Sequence, residues 1–197
     1  MTKPQTAPAV FIDRDGTINE DVGYLAHPDE LEIYPWAAEA IRMINDLGMK
    51  IVVVTNQSGV ARGLYTEEAL GAIHERLGDE LGRQGARLDA IYYCPHHPEI
   101  GEPPYRAQCE CRKPAPGMLK QAASEHNIDL AGSYVIGDKL SDMELAIDAG
   151  ARPILVLTGY GRISRQSVTR LRVEPDYICE NLLEAARWIA TERGNDA

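Results

Sequence analysis

The chain has 197 residues, 44% hydrophobic and 25% charged, and this ordinary globular composition is enough to build a sizeable core. Its formal net charge of −10 argues against a nucleic-acid-binding protein, because such proteins contact many phosphates through Lys and Arg. No apolar run approaches the roughly 20 residues of a membrane-spanning helix, and the polar amino terminus has no signal-peptide apolar segment. We therefore expect a cytoplasmic protein that acts without nucleic acid or membrane.

Apolar runs alternate with stretches of helical periodicity along the chain. The predicted strands lie at 9–12, 50–55, 89–93, 133–137 and 153–157, with a short edge strand at 176–179, and the predicted helices lie near 36–47, 66–83, 116–127 and 140–149 and after 181. This alternation predicts one α/β domain over residues 1–197 with a parallel central sheet. No element is predicted for 158–174. The segments 13–55 and 55–113 leave no room for a cap domain of ~50 residues or more, so we expect an open site.

Two carboxylates follow the first predicted strand, in the sequence Asp13-Arg14-Asp15-Gly16-Thr17. Alternate residues of an extended segment point the same way, so Asp13 and Asp15 can converge at the carboxyl end of the strand, where open α/β sheets bind ligands. Such a pair suits attack on phosphorus by Asp13 while Asp15 protonates the leaving oxygen. The alternative is a metal-binding or solvated acidic turn.

The second predicted strand ends in a hydroxyl, Thr55, followed by the polar segment 56–59. The Thr55 hydroxyl can donate to a phosphoryl oxygen, and the main-chain N–H groups after it can form a cradle for a phosphate. An ordinary turn after a buried strand is the alternative.

Two later segments add charge of both signs. Lys113, next to Arg112, can neutralise charge shared by a phosphate and Asp13, although a surface basic pair would have the same sequence. Asp138 follows the predicted strand at 133–137 and is a candidate Mg²⁺ ligand, because a carboxylate attacking a phosphate dianion needs a cation between the two like charges.

The segment 94–111 contains a C-x-H pair and a C-x-C pair separated by 12 residues. Four such side chains suit tetrahedral Zn²⁺, and a closed set with three thiolates is typical of structural sites. The predicted zinc ligands are Cys94, His96, Cys109 and Cys111, with His97 as the alternative to His96. Disulfides are disfavoured by the C-x-C geometry and a reducing compartment, and scattered free thiols are the other alternative. The loop leads into Arg112 and Lys113, so it is expected to hold both cations over a phosphate.

In their order, the four catalytic segments resemble the signature motifs of the haloacid dehalogenase superfamily of aspartate-nucleophile phosphatases, and the resemblance covers nearly the whole chain. It implies a three-layer Rossmann-like fold without a large cap. The implied roles are Asp13 as nucleophile, Asp15 as acid/base, Thr55 and Lys113 as phosphoryl stabilisers, Asp142 as a residue that orients Lys113 or a metal-bound water, and Asp13, Asp138 and the main-chain carbonyl of Asp15 as Mg²⁺ ligands. His74 is expected to be packed or solvated, because Asp15 already supplies the acid/base.

The motifs at 13–19, 55–63, 94–98, 109–114 and 137–139 are similar to the zinc-loop branch that contains heptose bisphosphate phosphatases and histidinol-phosphate phosphatases. The implied reaction is Mg²⁺-dependent removal of the 7-phosphate of D-glycero-D-manno-heptose 1,7-bisphosphate, which leaves heptose 1-phosphate for nucleotide-activated heptose synthesis. Histidinol phosphate is the alternative substrate, and a phosphometabolite-binding module without turnover is the remote alternative. The implied substrate contacts are Asp21, Val22, Gly23, Tyr24, Thr55, Asn56, Gln57, Ser58, Arg112, Lys113 and Lys139. The resemblance favours a monomer.

Overall fold

The computed structural model describes residues 6–171 and 174–195. Its strands are β1 (Ala9–Ile12), β2 (Lys50–Asn56), β3 (Ala90–Cys94), β4 (Tyr134–Gly137), β5 (Arg152–Val156) and β6 (Tyr177–Cys179). Its helices are α1 (Ala37–Asp46), α2 (Glu67–Arg83), α3 (Gly117–His126), α4 (Leu140–Ala149), α5 (Gly161–Leu171) and α6 (Leu182–Asn195), with a 3₁₀ turn at Pro28–Glu30. Every strand and helix predicted from the sequence is confirmed, with ends that differ by at most one residue.

The six strands form one parallel sheet in the order β3-β2-β1-β4-β5-β6. Val10 of β1 pairs with Ile51 on one side and with Tyr134 on the other, so β1 lies between β2 and β4. From β1 the chain adds β2 and β3 on one side of the sheet, and it then adds β4, β5 and β6 on the other side. In doubly wound α/β folds, ligands bind in the crevice at this point, beyond the carboxyl ends of the strands. The predicted edge position of β6 is confirmed.

Two apolar layers cover the sheet, as the predicted three-layer fold requires. Val10 and Ile12 of β1 pack with α1, α2 and α6 on one face. Ala9 and Phe11 of the same strand pack with α3 and α4 on the other face. This alternation follows from the pleat of a strand, in which successive side chains point to opposite faces. All four side chains are fully buried, and the sheet therefore gives the residues after its strands a rigid base.

Helix α5 was not predicted, because glycine, serine and β-branched residues alternate with its better helix formers and weaken the helical pattern. It begins at Gly161 and contains serine and β-branched residues, which are weak helix formers on their own. Its Val168 packs with Met143 of α4 and Leu155 of β5. Tertiary packing therefore stabilises a helix that the local sequence does not favour.

The loops at the carboxyl edge of the sheet contain no large insertion within the described residues. Residues 13–36 hold only the 3₁₀ turn, and residues 95–116 form an irregular loop before α3. The predicted absence of a large cap domain is therefore confirmed. Among residues 6–171 and 174–195, no helix combines the length and apolar character that crossing a membrane requires.

Candidate active site

The predicted catalytic residues meet at the carboxyl edge of the sheet. Asp13 follows β1 and still donates its main-chain N–H to Ile136 of β4 at 2.9 Å, which ties it to the centre of the sheet. A cavity of about 430 Å³ opens at this edge and is lined by Asp15, Asp21, Gly23, Tyr24, Asn56, Gln57, Ser58, Tyr65, Arg112, Lys113, Lys139, Ser141 and Tyr160. A second cavity of about 40 Å³ is lined by Asp13, Asp15, Thr55, Asn56, Lys113, Lys139 and Ser141.

A buried lysine joins two carboxylates beside the smaller cavity. Lys113 Nζ lies 2.9 Å from Asp13 Oδ1 and 2.6 Å from Asp142 Oδ1, and it donates to the main-chain oxygen of Val54 at 3.0 Å. Burial by itself would lower the pKa of Lys113, but the charges of Asp13 and Asp142 outweigh it and raise the pKa. Lys113 is therefore a cation, held against one oxygen of Asp13.

Asn56 fixes the backbone that carries this lysine. Its Oδ1 accepts from the main-chain N–H of Lys113 at 3.0 Å, and its Nδ2 donates to the main-chain oxygen of Lys113 at 3.2 Å. Asn56 was predicted to contact substrate. It does line the cavity, but its side-chain amide is engaged by the chain itself.

Three buried carboxylates can hold a cation next to Lys113. Oxygens of Asp13, Asp138 and Asp142 lie within 4.8 Å of one another. Burial, followed by the charge of Asp13, raises the pKa of Asp138 to about 8. Asp138 Oδ2 accepts from the main-chain N–H of Tyr160 at 2.7 Å, whereas Oδ1 is buried without a hydrogen-bond partner among the described residues. An unpaired buried carboxylate oxygen is costly, and a divalent cation satisfies it, so these residues fit Mg²⁺.

Asp15 is surrounded by donors. Arg14 Nη2 lies 2.9 Å from its Oδ2, Asn19 Nδ2 donates to Oδ1 at 3.0 Å, and Gln57 Nε2 donates to Oδ2 at 2.8 Å. Burial opposes ionisation, but Arg14 and the amide donors together hold the pKa of Asp15 below its usual value. Gln57 Nε2 also donates to Thr55 Oγ1 at 2.8 Å. Because this oxygen already accepts, the Thr55 hydroxyl hydrogen is free to donate toward the cavity.

The outer rim of the cavity contains cations and aromatic rings. Lys139 Nζ lies 2.9 Å from Asp21 Oδ2 and 5.1 Å from the centre of the Tyr160 ring. Arg112 Nη1 donates to the main-chain oxygen of His96 at 3.1 Å. Among the predicted substrate contacts, Val22 does not line the cavity, and it is 53% exposed.

Residues 158–160, for which the sequence suggested no chemistry, support the acidic cluster. Thr158 Oγ1 donates to the main-chain oxygen of Gly16 at 2.6 Å, and the Tyr160 amide holds Asp138. A Cβ added at Gly159 would lie 2.7 Å from the Cα of Gly16 and would overlap the Asp138 carboxylate. The only sequence feature that indicated a place near the site for residues 158–160 was their position after β5. Tyr65 and Ser141 also line the cavity, and no sequence feature indicated either of them.

The four predicted zinc ligands lie in one cluster. The ligand atoms of Cys94, His96, Cys109 and Cys111 are within 4.8 Å of one another. Cys94 Sγ lies 3.6 Å from Cys109 Sγ, far beyond a disulfide bond, and the cysteines are free. His97 Nδ1 instead accepts from the main-chain N–H of Glu99 and of Ile100, both at 3.1 Å. The structure therefore brings His96, not His97, to the three thiols, a set that suits Zn²⁺.

Comparison with known proteins agrees with this geometry. The HAD-hydrolase-like family model matches residues 110–185. The D-glycero-D-manno-heptose-1,7-bisphosphate 7-phosphatase of Thermosynechococcus vestitus is 43% identical over 188 residues, which cover 93% of this chain and 96% of that protein. The chain belongs to the heptose bisphosphate phosphatase family.

Two further members of this family support the assignment. The D-glycero-beta-D-manno-heptose-1,7-bisphosphate 7-phosphatase of Yersinia pestis is 46% identical over 156 residues, which cover 79% of this chain and 83% of that protein. The crystal structure of the D,D-heptose 1,7-bisphosphate phosphatase from B. bronchiseptica, complexed with magnesium and phosphate, is 37% identical, has a TM-score of 0.83 and covers 94% of this chain and 99% of that chain. The heptose bisphosphate phosphatase family thus shares this fold over nearly the full length described.

Proposed function

We propose that this chain is a Mg²⁺-dependent phosphatase that removes the 7-phosphate of D-glycero-D-manno-heptose 1,7-bisphosphate, leaving heptose 1-phosphate for ADP- or GDP-heptose synthesis. The observation that carries the proposal is the contact of buried Lys113 with Asp13 and Asp142, beside the unpaired oxygen of Asp138. The names of the relatives favour this substrate over histidinol phosphate.

In the first half of the reaction, Asp13 attacks the 7-phosphate. Lys113 Nζ and the main-chain N–H of Arg14 both contact Asp13 Oδ1, at 2.9 and 2.7 Å, so Oδ2 is the oxygen left to attack. The new bond joins this oxygen to phosphorus, and the bond between phosphorus and the sugar oxygen breaks. Asp15 gives a proton to that sugar oxygen, and because its pKa lies below its usual value without substrate, it takes up this proton from solvent when the negative charge of the bound phosphate raises that pKa. Thr55 donates its hydroxyl hydrogen to the phosphoryl group, and Lys113 balances the negative charge.

In the second half, water hydrolyses the aspartyl-phosphate on Asp13. Asp15, now a carboxylate, takes a proton from the water as it attacks phosphorus, which regenerates the Asp15 acid. The bond between Asp13 and phosphorus breaks, and inorganic phosphate leaves. The amide donors around Asp15 suit its charged form in this half of the cycle.

Asp13, Asp138 and the main-chain carbonyl of Asp15 would hold Mg²⁺. When bound, the ion supplies positive charge between the Asp13 carboxylate and the phosphate dianion. Oδ1 of Asp138, buried without a hydrogen-bond partner among the described residues and 3.9 Å from Lys139 Nζ, would gain a close partner from such an ion. Asp142 Oδ1 has a cation much closer, Lys113 Nζ at 2.6 Å, which supports the role of Asp142 in orienting that lysine.

The rim supplies the rest of the proposed substrate site. Arg112 and Lys139 line the larger cavity as cations and would bind the 1-phosphate end of the sugar. A guanidinium can make two parallel hydrogen bonds to a phosphate, which an ammonium cannot. Asp21, Gly23, Tyr24, Asn56, Gln57 and Ser58 form the wall between the two ends, and Val22 is proposed only as a neighbour of that wall.

We also propose that Cys94, His96, Cys109 and Cys111 hold a structural Zn²⁺. Arg112 donates to the main-chain oxygen of His96, so order in the loop sets the position of this substrate cation. The loop is irregular, and metal binding would supply order that apolar packing does not. We further propose that the protein is a cytoplasmic monomer, that residues 1–197 form one domain, and that it acts without a membrane. The net charge of −10 supports the proposal that it does not bind nucleic acid.

The test is phosphate release in the presence of Mg²⁺ from both anomers of the heptose bisphosphate and from histidinol phosphate, with Asp13→Asn as the blank. We expect the highest kcat/KM on one heptose anomer. A preference for histidinol phosphate would replace the proposed substrate. No release above the blank from any of the three would leave the phosphometabolite-binding module as the function.

A further inference from the structure

His74, on helix α2, contacts a buried arginine next to the catalytic aspartates. Its Nε2 lies 3.1 Å from Arg14 Nη1, and the Arg14 side chain is fully buried. A guanidinium only donates hydrogen bonds, so Nε2 must be the acceptor and the ring must be neutral. Burial, together with the charge of Arg14, lowers the pKa of His74 to about 3, which agrees with this form of the ring.

The other side of the same guanidinium is bound to Asp15. Arg14 Nε lies 3.1 Å from Asp15 Oδ1, and Arg14 Nη2 lies 3.0 Å from Oδ1 and 2.9 Å from Oδ2. Arg14 therefore links helix α2 to the proposed acid/base, with His74 at one end and Asp15 at the other. Because the guanidinium is planar and rigid, an acceptor at Nη1 also sets the direction of Nε and Nη2.

His74 is itself held in place. It belongs to α2, whose Ile73 and Leu77 are fully buried in the core. Its ring also packs against Tyr93, with 5.7 Å between the ring centres. An acceptor on a helix packed in this way is a fixed reference point for Arg14.

A second anchored residue holds Asp15 from another direction. Gln57 donates to Asp15 Oδ2 at 2.8 Å, and its own Oε1 accepts from the Tyr65 hydroxyl at 2.6 Å. Asp15 is thus bound by three donors, Arg14, Asn19 and Gln57, and two of them, Arg14 and Gln57, are each fixed by a further side chain. Without His74, Gln57 would still be held by Tyr65, but the Nη1 side of Arg14 would lose the side chain that holds it.

We propose that His74 is a positioning residue that acts through Arg14 to hold the Asp15 carboxylate in place for proton transfer. The proposal rests on the acid/base role of Asp15 in the proposed function. Loss of the acceptor leaves Nη1 of a buried cation unpaired, and the guanidinium then turns to another partner and carries Asp15 with it. The loss falls on kcat, because the rim cations that bind substrate, Arg112 and Lys139, make no contact with His74 or Arg14 among the described residues.

The test compares His74→Phe, which keeps an aromatic ring without an acceptor, with His74→Gln, which keeps an acceptor. We expect kcat to fall roughly 10- to 100-fold in His74→Phe, because small displacements of a reacting group have effects of this size. KM should stay within about twofold, and His74→Gln should recover most of kcat. His126→Phe, on α3, is the matched control and should behave as wild type. Equal losses in the Phe and Gln variants, or an unchanged kcat in both, would overturn the proposal.

A double-variant experiment separates positioning from a general weakening of the fold. In the Asp15→Asn background, His74→Phe should cause no further loss of rate, because the effect runs through the missing acid/base. p-Nitrophenyl phosphate is the substrate for this comparison, since its leaving group needs no proton and the rate then reports the hydrolysis of the aspartyl-phosphate, in which Asp15 acts as the base. Losses that multiply would show that His74 acts elsewhere. If His74→Phe does not fold, as judged by circular dichroism, His74→Met replaces it.

The same assays keep this proposal separate from the choice of substrate. Wild type that hydrolyses p-nitrophenyl phosphate but not the heptose bisphosphate would refute the substrate, while the His74 comparison still decides the positioning role. Wild type that hydrolyses the heptose bisphosphate, together with full kcat in His74→Phe, would refute the positioning role alone.

Discussion

Two lysines in the site have similar partners but very different surroundings. Lys113 contacts Asp13 and Asp142, and all three side chains are at most 5% exposed. Lys139 contacts Asp21 on the rim at 2.9 Å, lies farther from the buried Asp138, at 3.9 Å, and is 36% exposed. Charges interact strongly where water is excluded and weakly where it is present. The inner cluster is therefore suited to chemistry that needs fixed positions, and the rim is suited to binding the variable part of a phosphate ester.

The largest effect is expected for Lys113→Met. It leaves two buried carboxylates without their cation, so kcat/KM should fall roughly 100- to 1,000-fold and the free energy of unfolding by about 3–5 kcal/mol. Phosphate release and thermal unfolding measure the two effects. Lys139→Met on the rim should mainly raise KM and cost less stability than Lys113→Met, because the Lys139 side chain is 36% exposed and that of Lys113 is 1% exposed. The exposed Lys120→Met is the neutral control. Equal losses in the Lys113 and Lys139 variants would show that burial does not separate the two regions.

Gly159→Ala tests the support beneath the acidic cluster. Gly159 has φ +51°, and an added Cβ would meet the Asp138 carboxylate and the Gly16 backbone. We expect the Mg²⁺ concentration for half-maximal phosphate release to rise roughly 10- to 100-fold. Gly150→Ala is the matched control, because Gly150 has φ +74° with no atom within 4 Å of such a Cβ. It shares the backbone strain but not the overlap. Identical Mg²⁺ dependence in both variants would contradict the expectation.

Cys109→Ser tests whether the loop connects the two regions. We expect loss of bound zinc, measured by elemental analysis, and a roughly tenfold rise in KM, because the loop carries the His96 carbonyl that holds Arg112. The value of kcat should change less than about threefold, since no hydrogen bond or ion pair among the described residues joins the loop to the Asp13 side chain. Cys179→Ser, outside the cluster, should retain zinc and KM. A fall in kcat with unchanged KM would place the influence of the loop on the inner cluster instead.

Arg112→Lys should have the smallest effect. An ammonium keeps the charge but loses the paired hydrogen bonds of a guanidinium, so we expect KM for the bisphosphate to rise about fivefold. KM for a monophosphate ester should barely change, because it has no second phosphate to bind. Arg106→Lys, at an exposed position, serves as the control. An equal rise in KM for both substrates would show that Arg112 binds the reacting phosphate and not the distal end of the substrate.

Local sequence was sufficient for most of the fold and for the inner carboxylates. Asp13 and Asp138 directly follow apolar runs, and parallel strands end at the same edge of a sheet, so their proximity could be predicted. Helix α5 could not be predicted, because its stability comes from Val168 packing against α4 and β5. Its sequence mixes good helix formers with glycine, serine and β-branched residues, so propensity alone did not indicate a helix.

Contacts between distant segments depended on the tertiary structure. Arg14 and His74 are 60 residues apart, and Thr158 and Gly16 are 142 residues apart. Periodicity indicates which face of an element is buried, but it does not indicate which polar side chain lies opposite.

The amino-acid sequence by itself determined which reactive side chains follow which segments of the chain. These side chains are a carboxylate pair, a hydroxyl, a lysine and an acid, and each was located by the apolar segment or loop beside it. It also determined the spacing of the Cys and His side chains, because ligands two residues apart stay close in any fold. Only the tertiary structure decided that His96 and not His97 joins the thiols, that Asn56 holds Lys113, and that His74 reaches Arg14. These outcomes depend on how helices and loops pack over the sheet, and packing is set by the whole core and not by any one segment.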